Sequence, residues 1–412
     1  MVGVSLTDFG ALKLAYQPLI IKALSSGAKA YNIPEVKNWV GDVMDFRVQT
    51  DRNPNMGFLE DAGAYGTPGK QNYVRATVGR RFFAMKLQLS LGVQYASKGE
   101  GAFIDAVESE VKGGLKDAIS YMNRMFFRDG TGTVGLLKGT PASLTANIQV
   151  DNAGLIWKNG IIEIRDTSSS DAVLSTLKVA GLEQAIDSDG YAQFSIDTSY
   201  GDGAVSASAV AGDKVVWAGS YNRAISGLDA LVDDAATTFQ TVNTSTYPEY
   251  TSYVDSNSGT ARPLTPLILR RTLAAVAQKA GNDGMVKPLK LFANAWVGAE
   301  FEAMYEGAYR LQASDKSVGY KGASFMSALG QVDVEQDTDC PRHQAFLLDP
   351  SQLVHCVQKP LGFHKDGSEM FRASHDSAVS TAVMTQISQM MIKERKTSAK
   401  IEDIDDSATI SY

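Results

Sequence analysis

The sequence predicts an α+β fold built around one unusually long helix and a separate all-β segment. Three observations support this prediction. Polar and apolar residues alternate with period two from Met85 to Leu91, which predicts a strand. Apolar residues recur at spacings of three and four from Ile104 to Phe126, which predicts a long helix. Residues 134–219 are rich in Ser, Thr, Gly, Asp and β-branched residues, which predicts short strands and turns. The 412 residues exceed one ordinary compact core, so two or three domains or one elaborated domain are expected.

Residues 1–42 are predicted to form an N-terminal arm with little core of its own. Its short helical pattern has apolar positions at Leu12, Tyr16, Leu19, Ile20 and Leu24. Pro18 interrupts this pattern, and Pro34 and Trp39 follow it. Such a segment is expected to lie on another surface. No basic stretch followed by an apolar block occurs near Met1, so a secretory signal is not expected.

Residues 43–95 are predicted to form a long hairpin with a flexible tip. Strand patterns cover residues 43–50 and 73–91, and the connection between them is rich in Gly and Pro. So long a connection indicates a functional loop or one that reaches a partner. The second strand is basic, with Arg75, Arg80, Arg81 and Lys86. This basic strand is interpreted either as a solvated face or as a lattice or nucleic-acid contact.

Residues 96–133 contain the strongest helix pattern of the chain. Ser97 and Glu100 fit a capping box, and Gly130 is expected to close the helix. About thirty residues give a rod of roughly 45 Å, several times the usual length. Gly113 and Gly114 each disfavour the helix by about 1 kcal/mol relative to Ala. They therefore indicate either close packing by a neighbouring strand or a bend.

The remaining segments are predicted as an all-β insertion, a mixed domain, returning strands and a tail. The insertion covers residues 134–219 and has turn signals such as Asn159-Gly160. The mixed domain, residues 220–343, contains a helix with Thr265 as its N-cap and Pro266 in its first turn. Residues 344–396 alternate as returning strands, and residues 397–412 form an acidic, irregular tail.

No motif predicts a catalytic, cofactor or metal site, so the chain is not expected to be an enzyme. Residues 130–135 match a dinucleotide-binding fingerprint in letters, but they follow a helix instead of a strand. Cys340, His343, His355 and Cys356 lack the paired spacing of zinc ligands, and the last two are neighbours on a predicted strand that point to opposite faces.

Charge and cysteine content restrict the environment and the partners. A formal net charge of −7 gives no overall attraction for nucleic acid or anionic lipid. Two cysteines cannot form a disulfide framework and fit synthesis in a reducing cytoplasm. No window is long and apolar enough for a membrane span, so a membrane partner is not expected.

The order of these segments resembles that of a tailed-bacteriophage major capsid protein with the HK-ninety-seven-like fold. The resemblance is carried by the extended loop at Phe46–Leu91, the spine helix at Ser97–Arg128, the A-domain at Ser220–Thr251 with the helix at Thr265–Gly281, and the returning strands at Ala345–Ile392. The segments Ala211–Ser220 and Ile225–Asp234 are also similar to phage capsid sequences at the step from a β insertion into the A-domain.

The resemblance implies a non-enzymatic subunit that assembles into an icosahedral shell around a double-stranded DNA genome. It implies pentamers and hexamers, a portal, a separate scaffolding protein and room for a decoration protein, without sequence-specific DNA binding. The subunit would be made in the bacterial cytoplasm and reside in the virion capsid. The candidate assembly contacts are Phe58, Glu60, Lys70, Arg75, Arg80 and Arg81.

Two further expectations concern the spine helix and the other classes of protein. Gly113 and Gly114 are hypothesised to let the spine helix bend in an immature shell and straighten on expansion. The alternative functions are an encapsulin-like compartment, a soluble enzyme with a β-rich accessory domain, and a binding module of the tail or adhesin kind.

Overall fold

The computed structural model describes residues 30–53, 58, 61, 69–90, 100–141, 143–152, 154–168, 170–183, 192–281, 289–306, 323–327, 330–364, 372–373 and 379–405. Most of the predicted arm, much of the hairpin tip, the capping residue Ser97 and residues 406–412 of the predicted tail lie outside these ranges.

The strands of the first half are β1 (Glu35–Asn38), β2 (Val43–Asp51), β3 (Asn72–Gly79), β4 (Arg81–Ser90), β5 (Thr133–Leu136), β6 (Ile148–Val150), β7 (Ile161–Asp166), β8 (Ala172–Glu183), β9 (Ala192–Ile196) and β10 (Lys214–Trp217). Those of the second half are β11 (Thr238–Phe239), β12 (Val242–Asn243), β13 (Tyr253–Asp255), β14 (Leu289–Ala293), β15 (Ala323–Ser327), β16 (Gly330–Gln336), β17 (Ala345–Leu348), β18 (Leu353–Phe363), β19 (Arg372–Ala373), β20 (Val379–Ile392) and β21 (Ala399–Ile401).

The α-helices are α1 (Glu100–Phe127), α2 (Leu228–Leu231), α3 (Pro266–Ala280) and α4 (Ala295–Glu306). The 28 residues of α1 correspond to about 42 Å, which confirms the predicted long helix. The predicted cap of α3 is also confirmed, because the Thr265 side chain accepts a hydrogen bond from the Ile268 N–H. Within the described residues, no helix combines the length and apolar character needed to cross a membrane.

Helix α1 packs against a five-stranded sheet, here called the central sheet. Its strand order is β1-β18-β20-β19, with β4 also paired to β20. Strand β20 is antiparallel to both β18 and β4, whereas β1 is parallel to β18. The core between helix and sheet includes Leu115, Phe126, Leu361 and Met384. From Val111 to Phe126, the three-and-four spacing on α1 therefore corresponds to a buried face, as predicted.

Residues 133–217 fold into a six-stranded sheet with its own core, here called the β-module. The strand order is β5-β10-β7-β8-β9-β6. Its core contains Ile162, Ile164, Leu177 and Phe194, and Met125 of α1 belongs to the same cluster. These strands confirm the all-β character of the segment. Its status as an insertion in the wider fold stays a prediction.

The third large sheet, here called the mixed sheet, joins the middle of the chain to its end. Its strand order is β13-β21-β17-β14-β16-β15, with both parallel and antiparallel pairs. Helix α3 contributes Leu269, Leu273 and Val276 to the core of this sheet, where they join Leu291 and Leu347.

The prediction that residues 73–91 form a single strand of the hairpin is wrong. It breaks at Arg80, so that β3 pairs with β2, whereas β4 pairs with β20 of the central sheet. Alternation with period two predicts a strand with one buried face, but it does not specify the partner strand. The hairpin therefore consists of β2 and β3 alone, and the name is used for these two strands from here on.

The prediction of an irregular tail from residue 397 is wrong for its first residues. Strand β21 lies between β13 and β17, and its residues Ala399 and Ile401 are fully buried. The two apolar residues flank Lys400, so this stretch is a short alternating strand followed by acidic residues.

Candidate assembly surfaces

The base of the hairpin is fixed to the body of the subunit on both sides. Met44 and Val78 pack into a cluster with Trp39, Val354, Cys356 and Met391. Val48 and Ala76 pack into a second cluster with Val242 and Tyr250. The Thr77 N–H also donates to the carbonyl oxygen of Gln240 at 3.0 Å. The connection between β2 and β3 therefore begins and ends at fixed positions.

The predicted contact residues of the hairpin connection are exposed where the structure describes them. Phe58 has a relative exposure of 109%, and Lys70 is exposed. Glu60 lies outside the described residues. Phe58 thus exposes its whole ring to solvent, which is typical of a surface that a partner covers.

The predicted basic contact residues are spread along β3 and β4 and have partners within the subunit. The partners are Asp45 Oδ2 for Arg75 at 2.6 Å, Asp42 Oδ1 for Arg80 at 3.2 Å, and the Asn222 carbonyl oxygen for Arg81 at 3.0 Å. The two ion pairs are solvent-exposed, and such pairs contribute little to stability. The guanidinium groups can therefore exchange these partners for others at little cost.

The two glycines of α1 have different surroundings. A Cβ added at Gly114 would lie 2.6 Å from Leu87 Cδ2 and 2.9 Å from Met85 Cε of β4, whereas one at Gly113 would meet no described atom within 4 Å. Gly114 thus permits the close approach of β4 to α1. The packing interpretation fits Gly114, and it leaves Gly113 without a packing role.

Two buried arginines, one near the C-terminal end of α1 and one just after it, connect the helix to other units. Arg124 Nη2 donates to Asp339 Oδ1 at 2.9 Å, and its Nη1 donates to the Val134 carbonyl oxygen at 2.7 Å. Arg128 Nη2 donates to Asp151 Oδ2 of the β-module at 2.7 Å. Burial alone would raise the pKa of Asp151, but Arg128 lowers it overall. These pairs fix the β-module and the segment before β17 to α1.

Two further buried cations, which the sequence analysis missed, connect the end of the chain to α2. Arg395 donates to the carbonyl oxygens of Leu231, Ala230 and Tyr250 at 2.8, 3.1 and 3.4 Å. Lys400 Nζ lies 3.0 Å from Asp229 Oδ1 and 2.8 Å from Glu402 Oε1. Burial would lower the pKa of Lys400, but these carboxylates raise it overall. No local pattern around Asp229 could identify this partner, because Lys400 is distant in sequence.

An open apolar groove of about 460 Å³ lies where α1, β4 and the β-module meet. Its lining includes Phe82 of β4, Tyr121 of α1, and Trp157 and Trp217, whose rings are 5.3 Å apart. Phe82 is 59% exposed and Trp157 is 37% exposed. Large apolar side chains thus face solvent in a concave surface, which is typical of a binding groove.

The residues considered as metal ligands occupy structural positions. The His355 Nε2 and Tyr31 Oη atoms are 3.0 Å apart, and burial lowers the pKa of His355 to about 4. Cys340 and Cys356 are buried free thiols, and burial raises the pKa of Cys356 to about 11. In the described residues, no group of three or more His, Cys, Asp or Glu side chains is arranged to hold a metal ion.

The glycine-rich residues 130–135 connect α1 to β5. Gly130 and Gly132 have φ angles of +92° and +87°. A dinucleotide-binding loop lies between a strand and the N-terminus of a helix, whereas this one follows the C-terminus of a helix. The positive φ angles therefore serve the turn out of α1.

A long helix packed on one sheet, with a second mixed sheet and a hairpin whose base packs on the body of the subunit, defines the class of protein as a capsid subunit with the HK-ninety-seven-like fold. The capsid subunit of cyanophage A-1(L) matches 92% of this chain with 93% of its own at a TM-score of 0.54 and 12% identity. The capsid of a native GTA particle matches with a TM-score of 0.50 and 9% identity, covering 92% of this chain and 91% of that one. A chain from Mycobacterium phage Bobi is similar with a TM-score of 0.42 and 10% identity, covering 92% of this chain and 90% of that one.

The family assignment comes from the sequence. The model of the SU10 major capsid protein family matches residues 170–405, which is more than half of the chain. The chain therefore belongs to the SU10 major capsid protein family. A search of curated proteins gave no match. The protein is a structural subunit of the virion capsid that assembles with copies of itself into an icosahedral shell, which confirms the predicted fold and function.

Proposed function

We propose that the shell consists of pentamers and hexamers, encloses a double-stranded DNA phage genome, and depends on the hairpin for contact between neighbouring subunits. The observation that carries the hairpin contact is the fully exposed Phe58 on a connection whose two ends are fixed. Because the Phe58 ring is exposed, contact with a neighbour would remove it from water. Burial of a Phe side chain contributes about 1.5–3 kcal/mol for each contact.

The three large units have separate roles in this proposal. Helix α1 with the central sheet is the P-domain, whose elongated shape suits the faces of the shell. The mixed sheet with α3 is the A-domain, which meets its copies at the five- and six-fold axes. The β-module is an insertion that a decoration protein could cover. Within the predicted arm, residues 1–42, Ala30, Tyr31 and Trp39 are buried in their own subunit and β1 pairs with β18, so residues 1–29 are the part that clasps an adjacent subunit.

The basic residues of β3 and β4 are proposed to contact a neighbouring subunit instead of the genome. Arg75 and Arg80 already pair with aspartates at exposed positions, so replacement by a neighbour's carboxylate costs little. The net charge of −7 also opposes tight binding to packed DNA. The contact would therefore be sensitive to salt without any dependence on DNA sequence.

The remaining partners follow from the same assignment. A portal and a separate scaffolding protein would act with the subunit during assembly. Synthesis in the bacterial cytoplasm is supported by the two buried free thiols. The absence of catalytic activity is part of the proposal, and turnover tests on purified shells would check it.

Electron microscopy of the purified full-length chain tests the hairpin contact. The test variant is Phe58→Ser, and the matched control is Val210→Ser, because Val210 is an exposed apolar residue of the β-module. We expect shells from the parent chain and the control, but only unassembled subunits or free capsomers from Phe58→Ser. Circular dichroism should show the same fold for all three chains.

Two results would contradict the proposal. Shells of normal size and yield from Phe58→Ser would exclude Phe58 as a required contact. A discrete small oligomer from the parent chain at every salt concentration and with a co-expressed scaffolding protein would contradict spontaneous assembly and favour the alternative of a soluble enzyme.

A further inference from the structure

The apolar groove beside α1 has a defined point at which the N-terminal part of the chain approaches it. Tyr31 is among the residues that line the groove, and it is also the second residue of the first described segment. Residues 1–29 therefore connect to the subunit at the wall of the groove. This position distinguishes the groove from the other exposed apolar side chains of the subunit.

Tyr31 is held firmly at this position. Its hydroxyl accepts a hydrogen bond from Gln386 Nε2 at 2.7 Å and lies 3.0 Å from His355 Nε2. Its ring lies edge-on to Phe126 with centroids 6.4 Å apart, and Ala30 is fully buried beside it. The start of the described chain is thus fixed to both α1 and the central sheet.

The sequence that precedes Tyr31 has the composition of a segment that needs an apolar partner. Its apolar positions at helical spacing are Leu12, Tyr16, Leu19, Ile20 and Leu24. Five residues lie between Leu24 and Ala30, and this stretch spans up to about 20 Å when extended. Leu24 can therefore reach the groove from its attachment point without any change in the described fold.

We propose that residues 12–24 bind in the groove of their own subunit before assembly, with Leu24 beside Trp157 and Trp217. A segment tethered this closely has an effective concentration of about millimolar, far above that of a second subunit in dilute solution. The segment covers Phe82 and Trp157, which are otherwise exposed. Clasping of an adjacent subunit then requires release of the segment, so the groove restrains assembly of free subunits.

Disulfide trapping in the full-length, unassembled chain tests this placement. The test pair is Leu24→Cys with Arg223→Cys, because Arg223 is an exposed residue of the groove wall. The control pair is Leu24→Cys with Leu267→Cys, because Leu267 is an exposed residue of α3 outside the groove. We expect an intramolecular disulfide to form at least about tenfold faster in the test pair, as the tethered concentration implies.

Tryptophan fluorescence gives an independent measurement without new cysteines. Leu19→Asp with Leu24→Asp should expose the groove and shift the emission of Trp157 and Trp217 to longer wavelength. Ser25→Asp with Ser26→Asp adds the same charge to the same segment without removing an apolar side chain, so its emission should stay unchanged.

Three results would overturn the placement. They are equal disulfide rates in the test and control pairs, disulfides found only between chains when differently labelled subunits are mixed, and unchanged emission for the Leu19/Leu24 variant. Disulfides only between chains would identify a second copy as the occupant. None of these measurements uses shells, so this inference can fail while the proposed hairpin contact holds, and the reverse is also true.

Discussion

Two arginine–aspartate pairs lie in or next to the hairpin and two lie in or next to the C-terminal end of α1, but the surroundings of the pairs are opposite. In the hairpin, the side chains of Arg75 and Asp45 are 71% and 47% exposed. In α1, those of Arg124 and Asp339 are 2% and 17% exposed. The hydrogen-bond distances are similar, at 2.6 and 2.9 Å. Geometry alone therefore does not distinguish the two kinds of pair.

The two kinds of pair differ in the free energy that is lost when the arginine and its partner separate. An exposed guanidinium that leaves its partner is hydrated, so the pair contributes little to stability. A buried partner left without its guanidinium remains as a charge or polar group without compensation, which is strongly destabilising. Buried pairs thus fix the units of the subunit relative to one another, and exposed pairs leave cations for contact between subunits.

The largest effect is expected for Arg124→Ala. This change removes hydrogen bonds to Asp339 and to the Val134 carbonyl oxygen, so we expect the free energy of unfolding to fall by about 3–5 kcal/mol. Urea unfolding of unassembled subunits, followed by circular dichroism, measures it. Arg124→Lys retains the charge but cannot make the same set of hydrogen bonds, so its free energy of unfolding should fall by less than that of Arg124→Ala.

A loss below about 1 kcal/mol for Arg124→Ala would break the comparison, because exposed ion pairs lie in that range. If Arg124→Ala does not fold at all, the free energy of unfolding of Arg124→Lys tests whether the buried hydrogen bonds stabilise the subunit. Its stability should lie measurably below that of the parent chain if the buried bonds fix α1 to its neighbours.

His355 extends the comparison to a buried group whose pKa is lowered by burial and not raised by a nearby carboxylate. Burial lowers its pKa from 6.5 to about 4, so the unfolded chain takes up a proton first as the pH falls. The stability from neutral His355 is present above about pH 6.5 and is lost progressively towards pH 4. Between about pH 7 and about pH 5, we expect the free energy of unfolding to fall by about 2 kcal/mol from this group.

Unfolding of the parent chain and His355→Gln at several pH values tests this expectation. Gln carries no proton in this range, so the variant should show a smaller decrease towards pH 5. Equal pH dependence in the two chains would mean that the pKa of His355 is the same in the folded and the unfolded chain.

Local patterns predicted the long elements of this fold, but not the pairing between distant elements. The three-and-four spacing of α1 and the Thr265 cap of α3 are local signals, and the structure confirms both. The division at Arg80 depends on β20, which lies roughly three hundred residues later in the chain. No alternation within residues 73–91 could indicate that partner.

The buried cations illustrate the same limit. Arg124 and Arg128 fit the basic end of a helix, which is normally a solvated position, and only tertiary packing encloses them. Lys400 looked like part of an irregular acidic tail, but its neighbours Ala399 and Ile401 form a buried strand. Sequence patterns record the charge of such residues, and they do not record the partners that determine its effect.

A smaller effect is expected from the two glycines of α1. Gly114→Ala places a Cβ against Leu87 and Met85, so it should destabilise the subunit by about 1–3 kcal/mol. Gly113→Ala meets no described atom and should stabilise it by about 0.5–1 kcal/mol through the better helix propensity of Ala. Thermal unfolding of the two variants measures both signs.

The same two variants distinguish the packing interpretation of the glycines from the hypothesis that they let α1 bend. The packing interpretation predicts opposite effects on the stability of unassembled subunits, whereas a bend that both glycines permit predicts similar effects on shell maturation. Stabilisation by Gly114→Ala would contradict the close contact with β4.

The smallest effect on stability is expected for Arg75→Ala, and it tests the other side of the comparison. Its guanidinium is exposed, so the free energy of unfolding should stay unchanged within error. If the exposed cations serve contacts between subunits, the variant should nevertheless form shells only at lower salt or higher subunit concentration than the parent chain. Light scattering during assembly measures this difference. Asp45→Ala is the matched control, because it breaks the same pair but leaves the cation free for a neighbour, so its assembly should equal or exceed that of the parent chain. Equal loss of assembly in both variants would show that the pair acts within the hairpin and not across the interface.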